Sequence, residues 1–378
     1  MMLRQKPHVL SITGSDSTGG AGIQADIQTI STLGGRSLTA ITCVTVQNKL
    51  GIHAVHNLPT EIVVGQVQAT LQDAMPQAIK VGLVREVHTI LLLSRTLAGC
   101  PNLVCDPGLV SSRGEQLVDE TVRDAFLYHM FPHVKVLTLK CADAAWIFGY
   151  RIHSTEDMLL AARELLAMGP DAVLIQGGHS AKGTMTDVLL QKNDEDPHFF
   201  SAPDTQYYCM HGAGGTLSSA IATYLAQGDN IRVAVGKAHA YMQSLLVYAV
   251  KAPDVSASKR LPVAENQLLS RRQIQLYNEL MGLLACHYKR EHEVAFYAGE
   301  LNVTPRYLSQ ITHRVSGKSP KQLIAEYLLH EIEQALIATT MDMKQLAHEY
   351  GFTSGAMFSK FFRLHRQTTP TEFRSRHI

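Results

Sequence analysis

The chain has 378 residues, 46% hydrophobic and 18% charged, with one Trp and a formal net charge of +1. That length exceeds what one hydrophobic core usually organises, so two domains are expected, and the composition excludes a disordered, fibrous or low-complexity chain. The six cysteines (Cys43, Cys100, Cys105, Cys141, Cys209, Cys286) show no zinc-like spacing, and neither a membrane span nor a secretory leader is visible, so a reduced cytoplasmic protein without metal is expected.

From the start to about residue 250, short β-branched apolar runs alternate with helical patterns. The runs are His8 to Thr13, Ile41 to Val46, Ile79 to Val84, Leu103 to Cys105, Val134 to Leu139 and Ala172 to Ile175. Helices are predicted near Ile23 to Leu33, Glu86 to Leu97, Glu156 to Met168 and Leu217 to Ala226. Strands apolar on both faces need cover on both sides, which predicts a mostly parallel sheet in a three-layer α/β sandwich.

Two glycine clusters interrupt this pattern. Gly14-Ser-Asp-Ser-Thr-Gly19-Gly20-Ala-Gly22 joins a strand to a helix. Four glycines are more than a plain turn needs, and they let backbone N–H groups approach a ligand. His211-Gly212-Ala213-Gly214-Gly215-Thr216 opens the helix through Leu217 to Ala226, which outlines an anion hole at Gly212, Ala213, Gly214 and Gly215.

The segments SITGSDSTGGAGIQAD, TVQN, IKVGLV, NLVCDP, GGH, TDVL and HGAGGTLSSAIA run in order from about His8 to Tyr248. They resemble hydroxymethylpyrimidine/phosphomethylpyrimidine kinases of thiamine biosynthesis, within the ribokinase superfamily. The resemblance implies a ribokinase-like fold, a dimer, and a pyrimidine pocket lined by Gly14, Asp26, Gln47, Leu83 and Gly108. Gln47 has the chemistry for this, since its amide offers donor and acceptor together; a buried structural role for it is the alternative. ATP and Mg²⁺ are implied only if kinase activity is retained.

Three departures from the family bear on that activity. Gly215 stands where the family has Cys, or Asp in wider relatives, near the acceptor hydroxyl. Lys140-Cys-Ala-Asp143 stands for the family's N-x-x-E, associated with Mg²⁺ and phosphate. Gln176 replaces the lysine of V-K-G-G-H. A general base contributes about 10²- to 10⁴-fold while positioning carries most phosphoryl transfer, so the three losses together, rather than one, predict a pocket released from efficient catalysis. Lys140 either pairs with a ligand phosphate or is a solvated surface lysine.

The stretch Lys251 to Pro262 (KAPDVSASKRLP) reads as a linker. The expected division is a ligand-binding domain at 1–252, a linker at 253–270 and a DNA-binding domain at 271–378. Residues 1 to 255 hold 18 Lys+Arg against 22 Asp+Glu, and residues 256 to 378 hold 16 against 11. Beyond residue 350, Lys360, Arg363, Arg366, Arg374 and Arg376 face only Glu372, as phosphate contact requires, although ordinary solubility explains so mild a bias equally well.

After Glu265 the pattern is all helical. Val294, Ala295, Ala298 and Leu301 mark a helix that stops at Asn302-Val303, and Thr304-Pro305 caps the next, over Arg306 to Val315. The plan recurs with Leu346, Ala347 and Tyr350, a stop at Gly351, and a helix capped by Ser354 whose Met357, Phe358, Phe361 and Phe362 are expected inward. Between them, a helix from about Lys321 to Thr339 would span roughly 30 Å, close to the ~34 Å repeat of the major groove. A helical oligomerisation bundle explains the helices but not the paired caps.

Here A-x-x-x-G-F (Ala347 to Phe352), F-x-x-x-F-R (Phe358 to Arg363) and P-x-x-F-R (Pro370 to Arg374) resemble the AraC/XylS regulators over about Arg271 to Arg376. The resemblance implies an all-α double helix-turn-helix domain. It turns Arg306, Ser309 and Gln310, and then Ser354, Gly355, Ala356, Lys360 and Arg363, toward double-stranded DNA. Arg306 and Gln310 can read G or A edges, whereas Gly355 and Ala356 offer only close approach or methyl contact. Gln367 departs from the family's Gly. The whole sequence therefore predicts a regulator that senses a pyrimidine- or pyridoxine-like ligand, the alternative being an active kinase with a DNA-binding tail.

Overall fold

In the computed structural model, which describes residues 6–48, 51–111, 114–179, 184–192, 194, 196–203, 212–251, 271–339 and 341–376, the apolar runs of the first half form the middle of one nine-stranded sheet. The chain divides into two units, Met1–Asn266 and Gln267–Ile378. In the first, β1 (His8–Asp16) leads through α1 (Gly22–Thr32) to the hairpin β2 (Arg36–Asn48) and β3 (Gly51–Asn57). Next come α2 (Thr60–Asp73), β4 (Ala78–Val81), α3 (Val87–Leu97), β5 (Leu103–Cys105) and α4 (Glu120–Ala125). They are followed by β6 (Val136–Lys140), α5 (Cys141–Phe148), α6 (Thr155–Ala167) and β7 (Ala172–His179). The antiparallel β8 (Thr184–Gln191) and β9 (His198–Pro203) precede α7 (Ala213–Ala226) and α8 (Ile231–Lys251).

The strand order is β3-β2-β1-β4-β5-β6-β7-β8-β9, parallel from β2 through β7 and antiparallel at both margins. The fold is thus a ribokinase-like α/β sandwich on a mixed sheet, and the margins are where it exceeds the sequence expectation. β3 (GIHAVHN) is largely exposed, and β8 carries Asp187 inside its run, so neither shows the apolar signature of a central strand.

Two helical layers cover the sheet. Val63 and Val67 of α2, Ile90 and Leu93 of α3, Val122 of α4 and Met158 and Ala161 of α6 share one core with Leu10, Ile12, Val81, Leu137 and Ile175 of the strands. On the other face, α7 packs against β4 and β5 and between α1 and α8. It is buried nearly all round, which is why it is built of small residues such as Ser218, Ser219, Ala220 and Ala222. It also begins at Ala213, a turn earlier than expected, so Gly214 and Gly215 lie inside its first turn. The linker expected at 253–270 lies outside the described residues.

The second unit is helical throughout: α9 (Arg271–His287), α10 (Val294–Glu300), α11 (Pro305–Ser316), α12 (Pro320–Ala338), α13 (Met343–Glu349), α14 (Gly355–Arg366) and α15 (Pro370–Ser375). Caps drive this regularity. Thr304, Ser319, Asp342, Ser354 and Thr369 each accept from a first-turn N–H, and Pro305, Pro320 and Pro370 occupy the first helical position. Phe358, Phe362 and Phe373 pack on Leu328, Ile332 and Leu336 of α12. The residues just after α9 brace α12 and the turn of the second helix-turn-helix. Tyr288 lies against Tyr327 and Tyr350, Lys289 Nζ reaches Glu349 at 2.6 Å, and a Cβ on Gly351 would lie 2.4 Å from the Lys289 carbonyl.

Both α11 and α14 end on a left-handed residue, Gly317 (φ 74) in the first and Gln367 (φ 57) in the second. Gln367 takes a conformation that glycine adopts freely, and it is exposed. Gln367→Gly is expected to stabilise the second unit by about 0.5–1 kcal/mol, read as a higher thermal unfolding midpoint; an unchanged midpoint would show that no strain resides there.

Candidate functional site

The first glycine loop is shaped by its own carboxylate. Asp16 accepts from the backbone N–H groups of Thr18 (2.7 Å), Gly20 (3.1 Å) and Ala21 (2.7 Å) and from the Thr18 hydroxyl. Those amides are engaged within the loop, so its glycines serve close packing. A Cβ on Gly14 would come 2.7 Å from Cys43 Sγ, and one on Gly22, at φ 58, would come 2.4 Å from the Gly14 carbonyl.

The second glycine cluster docks on the first. Gly212 precedes α7 at φ 87, and a Cβ on it would lie 2.0 Å from the Gly20 carbonyl. Only glycine permits that contact. It sets the first turn of α7, whose N–H groups have no intrahelical acceptor, above the carboxyl ends of the strands. His211 lies outside the described residues. A Cβ on Gly214 would be 3.5 Å from Asp106 Oδ2 and 3.7 Å from Lys140 Cε, while one on Gly215 would be 3.7 Å from Asp26 Oδ1 and 3.8 Å from Lys80 Nζ. Ser218 Oγ donates to Asp106 Oδ2 at 3.0 Å.

Beneath Gly215 lies a buried ion pair. Asp26 is fully buried; its Oδ2 accepts from Lys80 Nζ at 2.7 Å and from Ser11 Oγ, and its Oδ1 has no hydrogen-bond partner among the described residues. A buried carboxylate oxygen left unpaired is costly, and this one faces the space where Gly215 offers no side chain. Lys80, Asp106 and Ser218 were not singled out from the sequence. A lone lysine inside the apolar run Ala78–Val81 was the available signal for the first of them.

The other expected pocket residues are spread around this floor. Gln47 joins the β2–β3 hairpin to the first loop, its carbonyl accepting from Ser17 Oγ at 3.1 Å. Leu83 lies against Gly14 and donates its N–H to Thr13 Oγ1 at 3.1 Å. Gly108, at φ 58, follows Asp106 in the segment leaving β5, and a Cβ on it would meet nothing within 4 Å.

The Lys140-Cys-Ala-Asp143 segment has structural duties. Asp143 is buried; its carboxylate accepts from Val110 N (2.7 Å) and Lys140 N (3.0 Å), and burial pushes its carboxyl up to about 6. Lys140 Nζ donates to the Val110 carbonyl at 3.0 Å, and the residue is half-buried. Gln176 stands beside Lys140 in the sheet register, buried, with no hydrogen-bond partner for either amide atom among the described residues. Asp143 is committed to backbone amides, and Lys140 brings an ammonium to the same turn. This donor set does not fit a divalent cation, and no cluster of three metal-ligating side chains occurs among the described residues.

In the second unit, α11 and α14 bury Leu308, Ile311, Val315 and Phe358, Phe362, and expose the opposite stripe. Arg306, Gln310, Ser354, Ala356, Lys360 and Arg363 are exposed, while Ser309 and Gly355 are partly covered. Tyr307, His313, Arg314 and Leu364 are exposed as well and were missed. Met357, expected inward, is 54% exposed, because Phe358 and Phe362 already fill the core-facing row. Ala295 is likewise exposed, and Tyr297 occupies the buried position of α10. Two basic residues of the tail turn inward: Arg366 is bidentate on Glu333 of α12, and Arg374 Nε donates to the Leu336 carbonyl at 3.0 Å.

Sheet order and glycine-framed pocket define the first unit as a ribokinase-like small-molecule kinase fold. Residues 16–258 match the phosphomethylpyrimidine kinase family, and the chain belongs to that family; residues 297–376 match a helix-turn-helix domain of the AraC type. The hydroxymethylpyrimidine/phosphomethylpyrimidine kinase of Streptomyces coelicolor is 36% identical over 237 residues, 62% of this chain and 87% of that one. A thiamine biosynthesis bifunctional protein of Geobacter sulfurreducens is 35% identical over 63% of this chain, a match spanning about half (49%) of that protein. The crystal structure of a phosphomethylpyrimidine kinase from Clostridium difficile superposes with a TM-score of 0.56 at 35% identity, covering 64% of this chain and 100% of that one. The Staphylococcus aureus pyridoxal kinase in complex with pyridoxal gives 0.58 at 27%, covering 64% of this chain and 88% of that one. No helix among the described residues is long and apolar enough to cross a membrane.

The raised Asp143 carboxyl has a thermodynamic consequence. With a folded value of about 6 against an ordinary 3.8, the folded state holds the proton more tightly than the unfolded chain. Its contribution to stability therefore falls as pH rises from about 4 to about 6 and is flat above, an effect on the order of 2–3 kcal/mol. The first unit is expected to gain a higher melting temperature at pH 5 than at pH 7 from this group. Asp143→Asn should lose that increment, and an unaltered pH dependence in the variant would refute the assignment.

Proposed function

We propose that the chain is a ligand-responsive transcription regulator whose kinase-family domain binds a pyrimidine- or pyridoxine-like vitamin precursor without efficient phosphoryl transfer. The reading divides the chain into a ligand-binding domain at 1–252, a linker at 253–270 and a DNA-binding domain at 271–378. It includes a homodimer acting in the cytoplasm.

The observation that carries it is Gly215. In the first turn of α7 it faces the Asp26 and Lys80 pair with no group able to move a proton, at the position where the resemblance puts Cys or Asp. The floor that would hold the ligand is retained: the close contact of Gly212 with Gly20, the Asp26 oxygen awaiting a donor, and the Gln47 segment tied to the first loop. The parts for transfer are diverted, with Asp143 capping α5 and Lys140 tethered to Val110. An amino group on a pyrimidine, or a hydroxyl on a pyridine, supplies the hydrogen that Asp26 Oδ1 lacks.

The output runs through the second unit. The 19-residue helix α12 separates two capped helices by a length that suits successive major grooves on one side of the duplex. Filling the pocket changes operator binding only if the ligand prefers one of two states of the full chain.

The second reading, an active kinase carrying a DNA-binding tail, is favoured by the 36% identity to the Streptomyces kinase. Two measurements separate them. Operator binding by the full chain is expected to change with hydroxymethylpyrimidine, its phosphate or pyridoxal, and indifference to all three would defeat ligand control. Phosphorylation of hydroxymethylpyrimidine by ATP is expected to be slow in the natural chain. Gly215→Cys, whose Cβ would meet only ordinary contacts at 3.7 and 3.8 Å, is expected to raise it about tenfold or more. Brisk turnover by the natural chain would establish the kinase reading instead.

A further inference from the structure

The stripes presented by α11 and α14 can be aligned on their caps, Thr304 and Ser354. At equivalent positions the first helix exposes Arg306, Tyr307, Gln310, His313 and Arg314, and the second exposes Ala356, Met357, Lys360, Arg363 and Leu364. The geometry is repeated and the chemistry is not. Where α11 offers a guanidinium and an amide, both suited to purine edges, α14 offers a methyl group and a thioether beside two cations.

Met357 does not serve the fold. Its side chain is 54% exposed, and the adjoining core row is filled by Phe358 and Phe362, both fully buried. It follows the cap by three residues, in the first turn, the part of a recognition helix that meets base edges. No acidic residue occurs in α14, and Lys360 and Arg363 on the same stripe make the face complementary to a polyanion. Within the major groove the apolar feature of a base edge is the C5-methyl of thymine.

We infer that α14 recognises its half-site through thymine methyl groups contacted by Ala356 and Met357, while Lys360 and Arg363 neutralise phosphates. The first helix-turn-helix, through Arg306 and Gln310, selects purine edges. This inference rests on the regulator reading, since it requires duplex DNA as the partner.

The test uses the full-length chain. A preferred duplex is selected from a random-sequence pool, and each thymine in it is replaced singly by deoxyuridine, which keeps every hydrogen-bonding edge and removes only the methyl. In one half-site, one or two replacements are expected to weaken binding about 4-fold, the worth of one buried methyl. Met357→Ala, at an exposed position and with its melting curve checked against the natural chain, is expected to bind the thymine duplex less tightly. At those positions it should distinguish thymine from uracil by less than about 2-fold, while Gln310→Ala keeps the full discrimination. A selected duplex indifferent to uracil throughout, or discrimination surviving in Met357→Ala, overturns the thymine assignment alone. A pool that yields no bound duplex overturns the regulator reading beneath it.

Discussion

Two backbone segments almost two hundred residues apart meet at Gly20 and Gly212, at a separation that leaves no room for a side chain. The rest of the pocket depends on that approach. It fixes the first turn of α7 over the carboxyl ends of β1, β4, β5 and β6, so Gly214 faces Asp106 and Lys140 while Gly215 faces Asp26 and Lys80. The first loop can take this shape because Asp16 gathers its amides, which leaves the Gly20 carbonyl at the contact. The approach of these two segments is set by main-chain geometry rather than by side chains.

The departures from the kinase pattern are coherent in space. Asp143 is held by the amide of Val110 and Lys140 is held by the carbonyl of the same residue, so the turn that precedes α5 is braced against the segment following β5. An acid and an ammonium that pin a loop from opposite sides are poor metal ligands and good mechanical ties. Gln176, neutral and buried beside Lys140, avoids placing a second cation in that corner.

The sequence made the central strands plain, because β1, β4, β5, β6 and β7 are mostly apolar and buried on both faces. The margins were hidden for the opposite reason, since β3 is exposed along most of its length and β8 tolerates a buried Asp187 that breaks its pattern. Glycine obscured the start of α7, where two of the first three residues are glycines ordinarily read as loop. Lys80 and Asp106 sit inside the segments IKVGLV and NLVCDP, yet their place in the site shows only once α7 sets Gly215 and Gly214 opposite them. Met357 was misjudged because four apolar residues at 357, 358, 361 and 362 suit a helix face of more than one orientation. Packing on α12 chose Phe358 and Phe362.

The end of α9 bears on where this molecule can be cut. Tyr288 and Lys289 lie before residue 297, where the helix-turn-helix match begins, yet they touch Tyr327 in α12, Tyr350 beside the second turn, and Glu349. Gly351 can make its tight turn because the Lys289 carbonyl sits against it. A fragment starting at 297 would lack the contacts that Tyr288 and Lys289 make to α12 and to the second turn. A fragment that keeps these contacts begins upstream of Tyr288.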